Sequence, residues 1–436
     1  MSSRGSRGAV AISTIEPVED LMNYTQTKEK LIDAMAAMDI IDCHEHLPPE
    51  DDRTSTPQDV FTLFSHYTRH DLFSAGMDPR DYESLFHHDV PLAQRWEQFE
   101  PFWQAIRHGS YARAALLTAK EVYGINSINA KTCQELSDRI AAENTPGIYR
   151  RMLCDRCRIR ASLTQCGRTD VARPLVPVMP GVTLTQLRKR QGLEKLAEVA
   201  DGEVPGTIGE LLQLCRGIME KWVTEGAVGV KLLSVHNVPG CRKVAEKAYQ
   251  QLLDGRELEP DQRRFEGLEN FLTHEVIDIA AELDLVVAVH AGIWGDFRAL
   301  DPKFMLTLAP AHPQARFDLY HLGMPFVRDT IVIGKNLPNV YLNLCWTHII
   351  SQSQSCSGID ELLDQVPVNK ILAFGGDYAR PVEKVVGHLH MARENFAEVF
   401  GRRIDRGPMS FDQAVAILKQ WFWDNPLRLY SRLQTK

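Results

Sequence analysis

Short apolar runs, separated by longer amphipathic segments, recur along most of the chain. The first is Met38–Cys43, and the later ones are Ile159–Leu163, Leu175–Met179, Val228–Leu233, Leu285–Val289, Phe317–Leu322, Val340–Cys345 and Ile371–Phe374. Continuous runs of Val, Ile and Leu that alternate with helical patterns are typical of parallel strands buried on both faces. Eight such strands predict an α/β fold, a closed (β/α)₈ TIM barrel, rather than an open sheet.

One long segment interrupts this alternation between the first and second predicted strands. Before it, apolar residues at helical intervals predict a helix over residues 14–37. From Pro48 to Arg156 aromatic and charged residues are frequent and the apolar spacing is helical. We therefore predict an N-terminal helix and strand over residues 1–47, a helical insertion over residues 48–156, and the rest of the barrel over residues 157–436. Because so long a connection usually has a function, we expect the insertion to be a lid or an oligomer contact.

Polar residues end five of the eight predicted strands. Active sites of (β/α)₈ barrels are built at the carboxyl ends of the strands. Side chains alternate along a strand, so the two histidines of His44-Glu45-His46 point the same way and can share a metal ion. The other strand-end residues are Lys231, His290, His321 and Asp377. Five positions of this type on one rim predict a metal-dependent catalytic site.

Composition and charge narrow the function without changing the predicted fold. The 436 residues are 44% hydrophobic and 24% charged, as in an ordinary globular protein with a large core. The formal net charge of −8 argues against a nucleic-acid partner, since such partners require clustered Lys and Arg. No apolar stretch is long enough to cross a bilayer, and residues 1–13 lack the apolar core of a signal peptide. We therefore expect no membrane partner and a cytoplasmic location.

The nine cysteines are an odd number, spread through a long chain without a secretory signal, which favours reduced thiols. Cys154-Asp155-Arg156-Cys157 has the spacing of a metal or redox pair. Because no second pair of this kind and no zinc-finger histidines accompany it, we predict a structural or incidental role for these two thiols.

The strand-end residues together resemble the amidohydrolase superfamily, in the order and on the strands where that superfamily places its metal ligands. Within the resemblance, Phe374-Gly375-Gly376-Asp377-Tyr378 and the closing stretch Trp423–Leu429 are similar to the amidohydrolase-related branch that includes metal-dependent decarboxylases. The long insertion after the first strand is similar instead to that of uronate isomerases. No single specificity subgroup is matched.

The resemblance implies a role for each strand-end residue. His44, His46 and Asp377 would hold the principal metal, usually together with His290. A bound divalent cation lowers the pKa of water and polarises a carbonyl group, and Asp377 would take the proton from that water and pass it to the leaving group. His321 would complete a second metal site or hydrogen-bond the substrate. Imidazole and carboxylate ligands suit Zn²⁺, with Mn²⁺ or Fe²⁺ as alternatives.

Lys231 determines how many ions the predicted site can hold. In some members of the superfamily the lysine at this position is carbamylated and bridges two ions, whereas in others it stays an amine. An ammonium group cannot bind a cation, so Lys231 must be modified, deprotonated or outside the coordination sphere. We expect one ion rather than two, and we place Lys231 with Asp377 and His321 among the catalytic residues.

Residues just beyond the strand ends are expected to line the substrate site. Arginines there suit a carboxylate, which they can bind through two parallel hydrogen bonds, so we expect a small, polar, carboxylated substrate. The predicted substrate-binding residues are Trp294, Arg298, Trp346, His348 and Arg380, with Arg168 and His236 as further candidates. Insertion residues that could reach over the mouth, to which we assign no role, are His66, Tyr67, Arg69 and His70, or His87 and His88.

Three reactions remain open. Hydrolysis of a C–N or C–O bond by metal-activated water is the first choice, because it is the commonest chemistry of the superfamily. A uronate-type isomerisation is favoured by the insertion, but uronate isomerases are not expected to need Lys231. Non-oxidative decarboxylation is favoured by the last-strand motif, but the compact decarboxylases lack such an insertion. A non-enzymatic barrel is disfavoured because every expected ligand is present. The expected partner is a small-molecule substrate, and a homo-oligomer is possible.

Overall fold

Eight parallel strands form the centre of the molecule. The computed structural model describes residues 24–200, 202–232, 240–259, 267–293 and 295–435. Within these residues the strands lie side by side in chain order. They are β1 (Ile40–Glu45), β2 (Ile159–Thr164), β3 (Leu175–Pro180), β4 (Gly229–Leu232), β5 (Val286–Val289), β6 (Phe317–Leu319), β7 (Val340–Asn343) and β8 (Ile371–Leu372). The predicted (β/α)₈ barrel is therefore confirmed.

The barrel is completed between β8 and β1 by backbone hydrogen bonds beyond the short β8 strand. The amide of Cys43 donates to the carbonyl of Phe374 at 3.0 Å, and the amide of His46 donates to the carbonyl of Tyr378 at 3.0 Å. Between these two contacts the amide of Asp377 donates to the carbonyl of His44 at 2.8 Å. The last-strand motif is thereby placed directly against the predicted histidine pair.

Helices surround the barrel and fill the connection between β1 and β2. In the described residues they are α1 (Tyr24–Ala36), α2 (Glu50–Thr54), α3 (Thr68–Ser74), α4 (Pro79–Ser84), α5 (Leu92–Ile106), α6 (Ser110–Tyr123), α7 (Cys133–Glu143), α8 (Val182–Thr185), α9 (Arg190–Val199), α10 (Ile208–Thr224), α11 (Arg242–Leu253), α12 (Leu268–Glu282), α13 (Met305–Ala311), α14 (Val327–Asn336), α15 (Thr347–Ile350), α16 (Gln352–Gln365), α17 (Lys384–Asp405), α18 (Phe411–Lys419) and α19 (Asn425–Leu429). None of these helices combines the length and the apolar character that crossing a membrane requires.

The segment between β1 and β2 contains helices α2 to α7 and a π-helical turn at Arg150–Arg156. It has a hydrophobic cluster of its own, which includes Phe61, Phe64, Phe99 and Trp103. Helix α6 packs against α17, the helix that follows β8. The segment therefore lies against the part of the barrel that carries Asp377, while its role as a lid or an oligomer contact stays a prediction.

The bounds of several predicted elements differ from the structure, among them those of the sixth strand and the first helix. The sixth strand ends at Leu319 rather than at Leu322, because the next residues form a turn in which His321 and Leu322 have positive φ angles of 63° and 47°. The predicted helix over residues 14–37 is seen from Tyr24 onwards, since its first part lies outside the described residues. The shorter strand matters for the site, because it places His321 on the turn above the barrel.

Candidate metal centre

His44, His46 and Asp377 converge at the carboxyl ends of β1 and β8. The Nε2 atoms of His44 and His46 lie 3.1 Å and 3.2 Å from the same oxygen, Oδ1 of Asp377. Ligand atoms from all three side chains lie within 4.8 Å of one another. In the part of the chain that the structure describes, this is the one group of three or more such residues that could hold a metal ion.

The geometry of the three side chains fits a divalent cation. Neither carboxylate oxygen of Asp377 accepts a hydrogen bond, although both are buried and two imidazole nitrogens are close. Two ligands bound about 2.1 Å from a tetrahedral ion would lie about 3.4 Å apart, which is close to the contacts seen here. Nδ1 of His46 lies 3.2 Å from the carbonyl of Gln165, so its N–H can donate there and leave the Nε2 lone pair for a metal.

Burial and charge set the protonation of these groups. Burial lowers the pKa of His44 to about 3, although the nearby Asp377 opposes the shift, so this imidazole is neutral. Burial alone would raise the pKa of Asp377, but the adjacent imidazoles of His44 and His46 hold it well below its usual range. A neutral imidazole and an ionised carboxylate are the forms that bind metal.

The backbone that carries Asp377 is strained and tightly packed. Asp377 has a φ of +55°, a left-handed conformation that is uncommon for residues other than glycine. A Cβ atom on Gly376 would lie 1.8 Å from Oε1 of Glu45, and one on Gly375 would lie 2.4 Å from Cβ of Cys345. The two glycines therefore allow the chain to approach β1 closely enough for Asp377 to reach the histidines.

His290 and His321 form a second pair beside the first group. Nε2 of His290 lies 3.1 Å from the carbonyl of Ile293, and Nδ1 of His321 lies 3.1 Å from the carbonyl of Cys345. Each carbonyl needs an N–H, so each neutral ring presents a lone pair at its other nitrogen. These two nitrogens face each other at 3.3 Å. Burial lowers the pKa of His290 to about 4 and holds that of His321 well below its usual value. Two lone pairs therefore face each other at a position where a cation would be stabilised.

Lys231 lies at the floor of the site without a hydrogen-bond partner among the described residues. Its Nζ is 3.5 Å from the centroid of the Tyr320 ring, and the same ring packs 4.3 Å from the ring of His44. Burial lowers the pKa of Lys231 to about 8. A minor fraction of this amine, about a tenth, is therefore uncharged at pH 7.

The predicted substrate residues are distributed unevenly. Arg380, in the loop after Asp377, lines a cavity of about 330 Å³ that also includes His46. Arg298 instead has its Nε and Nη2 groups bound to the two carboxylate oxygens of Asp296, each at 2.7 Å, with its side chain 86% exposed. His348 is fully buried and its Nε2 contacts the carbonyl of Ala373 at 2.9 Å. The structure therefore brings Arg380, and neither Arg298 nor His348, to the cavity beside the metal group.

Two further candidates have defined contacts, and two lie outside the described residues. Trp346 is almost fully buried and donates its indole N–H to the hydroxyl of Tyr111 at 3.0 Å, so it joins the barrel to the insertion. Arg168 is paired with Asp52 and Asp170 at the surface. Trp294 and His236 lie outside the described residues.

The insertion contributes one residue that the sequence did not single out, His66. Its ring packs edge-on against Trp346 at 5.6 Å, and its Nε2 atom is buried without a hydrogen-bond partner in the described chain. Burial lowers its pKa to about 4, although the charge of Asp377 opposes the shift. Its positive φ of 66° turns the chain before α3. The sequence signal was the pair His66-Tyr67 itself, which could not be separated from the other insertion histidines.

A family model now places this site among known proteins. The model described as amidohydrolase matches residues 213–432, half of the 436-residue chain. The chain belongs to the amidohydrolase family. The match contains Lys231, His290, His321 and Asp377 and begins after the histidine pair of β1. No curated protein matches this amidohydrolase.

Solved structures share the fold of this amidohydrolase at low sequence identity. The uronate isomerase of Thermotoga maritima has a TM-score of 0.76 at 15% identity, covering 93% of this chain and 97% of that one. The glucuronate isomerase of Caulobacter crescentus has a TM-score of 0.74 at 17% identity, covering 95% of each chain. A Lactobacillus casei protein, provisionally named a metal-dependent hydrolase, has a TM-score of 0.63 at 17% identity, covering 93% and 98%. At these identities the likeness shows the fold alone.

Membership of the family agrees with the chemistry of the site. Amidohydrolases generally bind divalent metals, and this amidohydrolase presents a buried group of two histidines and an aspartate at the expected rim. The structural neighbours named above include two isomerases.

Proposed function

We propose that this amidohydrolase is a metal-dependent hydrolase that cleaves a C–N or C–O bond in a small, polar, carboxylated substrate. The observation that carries the proposal is the convergence of two imidazole nitrogens on a buried carboxylate that accepts no hydrogen bond. Such an arrangement is costly unless a cation binds it. The lone-pair contact between His290 and His321 and the partly uncharged Lys231 support the same proposal, since uronate isomerases are not expected to need Lys231.

Each residue of the metal centre has a separate role in the proposed reaction. A divalent cation held by His44, His46 and Asp377, with zinc the first choice, would supply a Lewis acid that makes water nucleophilic at neutral pH. Asp377 is ionised, and its Oδ2, which has no other partner in the described chain, can take a proton from the attacking water and return it to the leaving group. Nε2 of His321 presents a lone pair, so it can accept a hydrogen bond from a hydroxyl or amide group of the substrate.

We propose one tightly held ion rather than two. His290 does not belong to the group of three but faces His321. A second ion between those two rings would need a further anionic ligand, which Lys231 could supply only as a carbamate. Metal analysis of the purified protein should therefore find one equivalent, and two equivalents that fall to one in Lys231→Ala would contradict this proposal.

The proposed substrate class rests on the arginines that remain unpaired. Among the described residues no carboxylate lies within ion-pair distance of Arg380 or Arg69, whereas Arg298 and Arg168 both have carboxylate partners. Arg69 and Arg380 line one cavity of about 250 Å³ together with His66 and Glu83. An unpaired guanidinium beside a metal group suits the carboxylate of a substrate.

The reaction is tested by a screen of the zinc-loaded protein against amides, lactones, uronates and aromatic carboxylates. We expect hydrolysis of a carboxylated amide or lactone, and a loss of kcat of about 100-fold or more in Asp377→Asn, because the proton acceptor is removed. Incorporation of ¹⁸O from labelled water into the product identifies hydrolysis. Equal inactivity of native protein and Asp377→Asn, with no metal bound, would contradict the proposal.

The substrate class is tested by comparing two arginines. Arg380→Ala should raise KM for the carboxylated substrate by roughly 10- to 100-fold, since a charge-assisted pair is lost, and should leave a neutral ester of the same compound unaffected. Arg298→Ala is the matched control and should leave both KM values unchanged, because Asp296 already occupies its guanidinium. An unchanged KM in Arg380→Ala would rule out this carboxylate site.

A uronate-type isomerase is the second candidate. It is supported by the insertion, which brings His66 against Trp346, and by the fold shared with uronate isomerases over more than nine-tenths of this chain. Conversion of D-glucuronate to its ketose, without incorporation of ¹⁸O from water at the carboxylate, would favour this candidate over hydrolysis. The same screen therefore separates the two reactions.

A further inference from the structure

Arg53 connects three parts of the chain that are far apart in sequence. It belongs to α2, the first helix of the insertion, and is only 2% exposed. Its Nη2 group donates to both carboxylate oxygens of Glu383, at 3.1 Å and 3.0 Å. Its Nε–H donates to the carbonyl of Arg380 at 2.9 Å, across a separation of 327 residues, and Nη1 contacts the side-chain oxygen of Asn144. One guanidinium thus joins the start of the insertion, its last helix and the loop after β8.

The loop that Arg53 holds is the loop that follows Asp377. Its beginning is bound to β1, because the amide of Tyr378 donates to Oε2 of Glu45 at 2.5 Å. Its end carries Glu383, which is fully buried and has Arg53 as its ion-pair partner. The side chain of Arg380 projects between these two attachments and is exposed. The position of the Arg380 backbone therefore depends on the insertion.

The cavities that Arg380 lines also lie between the barrel and the insertion. Arg53 and Arg380 line the same cavity of about 330 Å³ as His46, a proposed metal ligand. Arg380 also lines two neighbouring cavities of about 250 Å³ whose other walls come mainly from the insertion. A substrate that binds the metal group and the Arg380 guanidinium would thus lie between the barrel and the insertion.

We infer that Arg53 is a positioning residue that fixes the loop Arg380–Glu383 and so sets where the carboxylate of the substrate binds. The inference rests on the proposed function for its substrate class but not for its reaction. A planar guanidinium is needed, because its Nη2, Nε and Nη1 groups reach Glu383, the Arg380 carbonyl and Asn144 at once, whereas a lysine has only one nitrogen. By this inference the insertion takes part in substrate binding through a fixed contact with the barrel.

The test compares Arg53→Lys with Arg95→Lys in the zinc-loaded full-length protein. Arg95 is a matched control, since it is also a buried insertion arginine, 5% exposed, that binds Asp59 and the carbonyls of Leu85 and Val90. In the described chain it makes no hydrogen bond or ion pair with the loop after β8. Hydrogen–deuterium exchange measures how well the loop is protected, and metal analysis measures whether the metal group is intact. Calorimetric titration with glutarate, and with its neutral diamide for comparison, measures carboxylate binding.

In Arg53→Lys we expect faster exchange over residues 378–386, an unchanged metal content, and glutarate binding weakened by about tenfold or more, with the diamide unaffected. In Arg95→Lys we expect faster exchange near residues 85–90 and unchanged glutarate binding. A looser loop with unchanged glutarate affinity would overturn the inference, and so would a native protein that binds neither probe.

A second variant keeps the test valid if Arg53→Lys does not fold. Glu383→Gln retains the shape of the partner and removes its charge, and it should weaken glutarate binding in the same direction. Turnover by the native protein without ¹⁸O incorporation would count against hydrolysis while leaving the binding result intact. Normal glutarate binding in a folded Glu383→Gln variant with a loosened loop would overturn the inference.

Discussion

Asp377 shows how a single residue depends on its neighbours for its chemistry. Its side chain meets His44 and His46 only because its backbone adopts a left-handed conformation at the junction of β8 and β1. Its amide is bound by the carbonyl of His44, and the next amide is bound by Glu45. The strain of the left-handed residue is offset by these contacts, as at many functional sites.

We expect Gly376→Ala to disrupt the metal group without altering any ligand. The new Cβ would lie 1.8 Å from Oε1 of Glu45, so the chain must move away from β1 and carry Asp377 with it. The cost should be about 1–3 kcal/mol of unfolding free energy, and zinc affinity, measured by competition with a chromophoric chelator, should fall.

Gly217→Ala is the control for this prediction. Gly217 lies inside α10, and a Cβ there would meet nothing within 4 Å. Alanine should stabilise the helix by about 0.5–1 kcal/mol and leave zinc affinity unchanged. If Gly376→Ala bound zinc as tightly as Gly217→Ala, the proposed dependence of Asp377 on this close approach would be wrong.

Residues that end strands were the easiest to predict, because their position follows from the barrel itself. The structure places His44, His46 and Asp377 together, as the strand pattern indicated. The difference between Arg298 and Arg380 was harder to foresee, since it depends on which guanidinium finds a carboxylate. The sequence did hold one signal: Asp296 lies two residues before Arg298, a spacing that allows the local pair seen here.

At the scale of elements, the alternation of apolar runs predicted all eight strands but not their ends. In β1 the simple alternation of side chains is also broken. Asp42 pairs with Ser162 and Glu45 with Thr164, so three steps along β1 face two steps along β2. Such a bulge re-aims side chains near active sites, and nothing in the run Ile40–Glu45 distinguishes it from a regular strand.

The insertion was likewise predicted only in part. Its helical character followed from its local spacing, whereas its contacts with the barrel depend on residues distant in sequence. Arg53 and Glu383 are 330 residues apart, and neither has a local feature that indicates its partner. Trp346 likewise finds Tyr111 through tertiary packing. The sequence therefore predicted where the insertion lies more readily than which of its residues reach the site.

At the scale of the whole molecule, the end of the chain closes the barrel opposite the metal group. Leu429, Tyr430 and Leu433 belong to the hydrophobic cluster that fills the barrel interior. The hydroxyl of Tyr430 donates to Oδ2 of Asp318 at 2.7 Å, and Asn343 donates to the same oxygen at 3.0 Å. A carboxyl group is thus buried in the core, where its ionisation opposes folding.

We expect Asp318→Asn to change how stability depends on pH. Burial raises the pKa of Asp318 from 3.8 to about 7. A raised pKa means that the native state binds this proton more tightly than the unfolded state does. The stabilising effect of the bound proton is therefore complete below pH 4 and is lost as the pH rises to about 7. The loss should be roughly 4 kcal/mol at most, from about 1.4 kcal/mol per pKa unit. Asparagine has no such proton. Between pH 4 and pH 8 the unfolding free energy of the variant should therefore rise by a few kcal/mol relative to that of the native protein.

Urea unfolding at pH 4, 6 and 8 measures this difference, and subtracting the native curve removes the contributions of groups that both proteins share. Asp138→Asn provides the control, because Asp138 lies exposed on α7 and is not in the core. The difference in unfolding free energy between Asp138→Asn and the native protein should stay nearly constant with pH. A constant difference for Asp318→Asn as well would mean that the carboxyl group is not protonated in the barrel interior, and that Tyr430 and Asn343 stabilise it as an anion.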